Sequence, residues 1–103
     1  MLSEQEFRVR SDEALTGARQ QLLPLADEAG FEIELQNGVL DLVFEEPRES
    51  KFVVSPNAPV RQIWVSAMSR SFKLAWDDER KVFALNGESL ADLLRRLATE
   101  FLG

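Results

Sequence analysis

The sequence predicts an α+β fold in which an N-terminal and a C-terminal helix pack on one face of a five- or six-stranded antiparallel sheet. Three observations lead there. Apolar residues recur at helical spacing near both ends of the chain, and strict apolar/polar alternation fills the middle. The alternating runs are separated by turns too short for a parallel crossover. Two helices with one apolar stripe each cover a single sheet face, which leaves the other face to solvent or to a partner.

Ser3 followed by Glu6 is a capping box, in which the hydroxyl accepts from an early helical N–H and the carboxylate accepts from the cap's own N–H. Phe7, Ala14, Leu15, Ala18, Leu22 and Leu25 supply the stripe behind it. Gly17 weakens the middle of this helix and Pro24 should end or kink it at the preceding residue, which sets the first helix at about Ser3 to Leu23. Phe31, Ile33 and Leu35 then alternate with Glu32, Glu34 and Gln36, and Asn37-Gly38 offers the two positive-φ residues of a type I′ hairpin turn. The return strand is Val39 to Phe44, with Leu40, Leu42 and Phe44 inward. After the charged turn EEPRES, a third strand covers Lys51 to Ser55 and is interrupted by PNAP. Strands at Arg61 to Ala67, Phe72 to Trp76 and Lys81 to Leu85 follow, with the acidic turn DDER before the last and Asn86-Gly87 closing the sheet. Ser89 caps the closing helix, helped by Asp92, and its stripe is Leu90, Leu93, Leu94, Leu97, Ala98 and Phe101.

The 103 residues suit one domain, expected over 1–103, and carry 12 Lys plus Arg against 18 Asp plus Glu. A net charge of -6 opposes the phosphate backbone, so no nucleic-acid partner is expected. The chain has no Cys and no His. The first absence removes disulfides, thiolate nucleophiles, zinc ribbons and protein-ligated iron-sulfur clusters; the second removes the commonest general base and transition-metal ligand. Any metal would therefore meet oxygen ligands alone. No glycine-rich phosphate loop, GxSxG or HExxH is present, and an enzyme is not expected. No apolar run approaches the ~20 residues of a membrane span, and MLSEQEFRVR has neither signal nor transit character. A cytoplasmic protein without membrane contact is the expectation.

Two groups of residues are candidates for function. Alternation along the fourth strand sends Ile63 and Val65 to the core and Trp64 to the open face, unless a bulge breaks the pattern. An exposed indole brings a large apolar area to a partner at low entropy cost, and Gln62 and Ser66 on the same face supply polar surroundings. The second group is carboxylate: Glu32 and Glu34 share a strand face, and Asp27 and Glu28, in the connection just before, approach the same edge. Such a surface holds Ca²⁺, Mn²⁺ or Fe²⁺ loosely, through waters. The acidic turns at Glu45, Glu46 and Glu49 and at Asp77, Asp78 and Glu79 read as solvated charge.

Taken together, PNAPVRQIWVS, the later strand pair and the terminal NGESLADLLRRLATEFL resemble the frataxin family, in particular its bacterial CyaY-type members. The resemblance covers nearly the whole chain and implies a frataxin-like two-layer α/β sandwich. It implies an accessory, regulatory protein of iron-sulfur cluster assembly whose partners are a cysteine desulfurase and an iron-sulfur scaffold protein. Within QIW, Gln62 and Trp64 belong to the family's exposed partner-binding sheet, and Asn57 falls in the preceding loop, where polar contacts are made. Iron, Fe²⁺ or Fe³⁺, is bound weakly by the family on an acidic ridge, here matched by Asp27, Glu28, Glu32 and Glu34. A monomer is implied, with metal-driven oligomers in some members. The ridge departs from the pattern: Arg19, Gln20, Leu23 and Pro24 stand where acidic residues are usual, and a second tryptophan position falls on Lys81. Two alternative readings accompany it, a weak iron chaperone or store with the ferroxidase activity ascribed to some members, and an adaptor unrelated to iron.

Overall fold

The computed structural model describes residues 2–103. Its elements are α1 (Glu4–Ala29), β1 (Glu32–Gln36), β2 (Val39–Phe44), β3 (Ser50–Asn57), a 3-10 turn (Ala58–Val60), β4 (Gln62–Ala67), β5 (Arg70–Asp77), β6 (Val82–Leu85), β7 (Glu88–Ser89) and α2 (Leu90–Leu102). The strands form one antiparallel meander in the order β1-β2-β3-β4-β5-β6-β7. The α+β sandwich is as expected. The sheet has seven strands rather than five or six, because Glu88 and Ser89 turn back and pair with Leu85 and Ala84 before α2 begins.

The capping box at the start of α1 is formed, with Glu6 N–H donating to Ser3 Oγ at 3.1 Å and Ser3 N–H donating to Glu6 Oε1 at 3.0 Å. The Ser3 backbone N–H, followed by its hydroxyl, holds the Glu6 carboxyl below the usual glutamate range. The helix does not stop at Pro24; it runs to Ala29 and is closed by Gly30 at φ 83°, whose N–H returns to Ala26 O. Packing explains the difference. Leu22 and Ala26 flank the proline on the core side and are 0% and 4% exposed, while Pro24 faces solvent. Arg95 donates to the carbonyl of Gln21 at 3.5 Å, next to the Gln20 carbonyl that Pro24 leaves without a helical donor. The buried stripe is Phe7, Ser11, Leu15, Ala18, Leu22 and Ala26; Ala14 and Leu25 sit half-buried at its margin.

Three two-residue turns of positive φ set the sheet's register: Asn37-Gly38, Met68-Ser69 and Asn86-Gly87. The middle one lacks glycine, and it starts β5 at Arg70 rather than Phe72. Arg61 and Lys81, expected within strands, occupy left-handed backbone at φ 54° and 59° and lead into β4 and β6. β3 continues through Pro56. β2 pairs with β3 only as far as Val54, so at Pro56 the strand has a neighbour on one side alone, where a missing N–H is tolerated.

The core lies between the helices and one sheet face. Phe31, Phe44, Phe52 and Phe101 cluster at one end, with ring centroids 4.6 to 5.8 Å apart. Phe7, Phe83 and half-buried Trp76 pack edge-on at the other, and the Trp76 indole N–H donates to Asp78. Every predicted stripe residue of α2 is buried. A bidentate Arg96–Glu88 pair, at 2.9 and 3.0 Å, ties α2 to β7. Among the described residues no helix is long and apolar enough to cross a membrane.

Candidate functional site: the open sheet face

Alternate residues of each strand feed the core, and the residues between them face the far side, where no helix lies. Register then decides which of them meet. Ser55 is paired with Trp64 and Trp64 with Lys73; Val53 with Ser66 and Ser66 with Ser71; Asn57 with Gln62 and Gln62 with Ala75. Asn57, Gln62, Trp64 and Ser66 therefore share one surface at the centre of the sheet. Asn57 is the last residue of β3, not part of a loop, because the strand runs through Pro56.

Trp64 is 38% exposed, while its strand neighbours Ile63 and Val65 are buried, so no bulge interrupts β4. Its indole N–H donates to Gln62 Oε1 at 3.0 Å, and Lys73 Nζ stands 5.0 Å from the ring centroid. A cation over an exposed aromatic face contributes about 0.5–1 kcal/mol, enough to bias the indole toward one orientation without locking it. Beside the ring is a shallow depression of about 200 Å³, bordered by Val53, Ser55, Ser66, Ser71 and Lys73. Its lining combines apolar Val53 and Trp64 with three serine hydroxyls and the Lys73 cation, which suits a protruding side chain of another protein. Val53, Ser55, Ser71 and Lys73 are absent from the residues expected from sequence. For Ser71 and Lys73 the missing signal was the turn at Met68-Ser69, since centring the hairpin there sets Lys73 directly opposite Trp64; Val53 and Ser55 follow from the separate pairing of β3 with β4.

The carboxylates are arranged differently from expectation. Asp27 and Glu28 lie in the last turn of α1 rather than in a connection, because the helix passes Pro24, and Glu32 and Glu34 project from β1 on the open face. All four are exposed, and none enters an ion pair among the described residues. Among the described residues no three Asp or Glu side chains converge into a group that could hold a metal ion. Their donor chemistry, hard and anionic, suits a divalent cation, but the arrangement presents them separately.

The frataxin-like domain model matches residues 1–103. The iron-sulfur cluster assembly protein CyaY of Pseudomonas syringae pv. tomato is 31% identical over 98 residues, covering 91% of this chain and 87% of that protein. The protein of the same name from Cupriavidus pinatubonensis is 33% identical over 91 residues, covering 86% of this chain and 80% of its own. A solved structure of the frataxin from Psychromonas ingrahamii superposes with a TM-score of 0.71 at 16% identity, over 96% of this chain and 90% of that one, and so shares the fold. The domain match runs through both helices and every strand, QIW included, and by it this chain belongs to the frataxin-like family.

Proposed function

We propose that this chain is a non-catalytic accessory factor of iron-sulfur cluster assembly that docks on a cysteine desulfurase and scaffold complex through the open sheet face. The observation that carries the reading is Trp64: a large indole left in solvent at the centre of an uncovered sheet, oriented by Gln62 and Lys73, beside a depression that could receive a partner's side chain. The pathway comes from the relatives, whose printed name is iron-sulfur cluster assembly protein. Trp64→Ala tests it. Removing a central aromatic anchor costs about 2 kcal/mol or more of binding, so affinity for the desulfurase-scaffold complex falls about 30-fold, with thermal unfolding little changed. Unchanged affinity in a folded variant overturns the reading.

Iron enters as loosely held cargo. Four exposed carboxylates outside any ion pair among the described residues, at the α1 end and on β1, favour this second role, with Asp27, Glu28, Glu32 and Glu34 each attracting hydrated Fe²⁺ separately rather than chelating it together. Paramagnetic broadening of amides 27–34 on adding Fe²⁺ is the expected result, and uniform or absent broadening rejects it.

A further inference from the structure

β1 is a terminal strand of the sheet, five residues long, whereas the strand at the opposite end, β7, has two. In a two-residue hairpin the pair flanking the turn exchanges both backbone hydrogen bonds, so Gln36, Glu34 and Glu32 bond to β2. The N–H and C=O groups of Ile33 and Leu35 then point away from the sheet, and no partner for them exists among the described residues. On the helix side of this edge, Ile33 and Leu35 are half-buried; on the other, Glu32 and Glu34 are exposed. Asp27 and Glu28 add negative charge from the end of α1.

Such an edge rejects its own copy. Antiparallel pairing of two β1 strands sets Glu34 against Glu34, or Glu32 against Glu34, and directly opposed like charges are destabilising. It accepts the opposite pattern: a strand with apolar residues beside Ile33 and Leu35 and basic residues beside Glu32 and Glu34. We infer that β1 receives an extended segment of a partner protein, alternating basic and apolar residues, as an eighth strand. Backbone hydrogen bonds to Ile33 and Leu35 hold it, and the carboxylates select it by charge. The site lies three strands from Trp64, about 14 Å across the sheet, and does not depend on the docking face.

The test uses the full chain, ¹⁵N-labelled, and a capped nine-residue peptide alternating Lys and Val, with Lys-Gly and Glu-Val peptides of equal length as controls. The expected result is saturable binding of the Lys-Val peptide, with exchange of the Ile33 and Leu35 amide protons slowed about tenfold or more. Glu32→Lys together with Glu34→Lys, both exposed positions, weakens binding about tenfold by replacing attraction with repulsion, while Trp64→Ala leaves it unchanged. Unaltered exchange at Ile33 and Leu35 at saturation overturns the inference, as does equal binding of the Lys-Gly or the Glu-Val peptide.

Discussion

Gly17→Ala should stabilise this protein. Gly17 sits in the middle of α1, above a groove of about 270 Å³ that α1 forms with β6 and the start of α2, floored by Ala14, Ala18 and Phe83. A methyl group built at this position meets no atom within 4 Å beyond its chain neighbours and the adjoining turns of its own helix backbone, and the backbone is ordinary helix. Nothing in the folded state opposes the change, so the gain is the helix-propensity difference of about 0.8–1.0 kcal/mol. Unfolding entropy of about 2.1 cal/mol/K per residue gives roughly 0.2 kcal/mol/K for a chain of this length, and Tm should rise by about 4–5 °C. Far-UV circular dichroism melts read the shift directly. Urea titration should show a higher midpoint at unchanged slope, which separates a stability gain from a change in the unfolded ensemble. A Tm that stays level or falls refutes the reasoning, because it would mean that a neighbour closes on position 17 in solution.

Three further outcomes are expected. Pro24→Ala restores the missing donor to Gln20 within a helix that already passes through this exposed position, and should raise the urea midpoint by the equivalent of about 1–3 kcal/mol; a decrease would show that the ring is shaped into the fold. Ser69→Gly relieves a left-handed residue at φ 61°, worth about 1 kcal/mol before glycine's greater unfolded-state freedom is subtracted, so a net gain of about 0.5 kcal/mol in equilibrium unfolding is expected and a loss refutes it. Glu6→Gln keeps an acceptor for the Ser3 N–H but removes the titration. Because the folded Glu6 carboxyl is held below its ordinary value of 4.5, its stabilisation is present above that pH and is lost as pH falls through the folded value. The variant should therefore lose stability less steeply in acid than the parent chain, and an identical acid limb would contradict the assignment.

These cases also mark how far the sequence could be read. Alternation and the Asn-Gly turns were legible because side-chain period and positive φ are local properties, and they placed Trp64 on the open face before any packing was considered. Pro24 misleads for the opposite reason: its penalty is local, but the burial of Leu22 and Ala26 that outweighs it is tertiary. Met68-Ser69 carries no turn signature, and its conformation follows from the pairing of Ala67 with Arg70 and from Met68 packing on the core. β7 is too short for any periodicity, and the same Ser89 both ends it and caps α2. At the site, the identity of Trp64 and its flanking polar residues Gln62 and Ser66 could be read, whereas Ser55, Ser71 and Lys73 needed the register. Asp27 and Glu28 were displaced from the connection into α1 by the same misreading of Pro24.

One strand does two jobs in β4, where Ile63, Val65 and Ala67 are sealed into the core while Gln62, Trp64 and Ser66 alternate with them in solvent. The recognition surface is thus built on the backbone of a central strand, paired on both sides and sealed on its other face. Little conformational entropy is left to lose at that backbone on association, so complex formation should proceed as rigid-body docking, and its affinity should be lost through faster dissociation rather than slower encounter when the surface is altered.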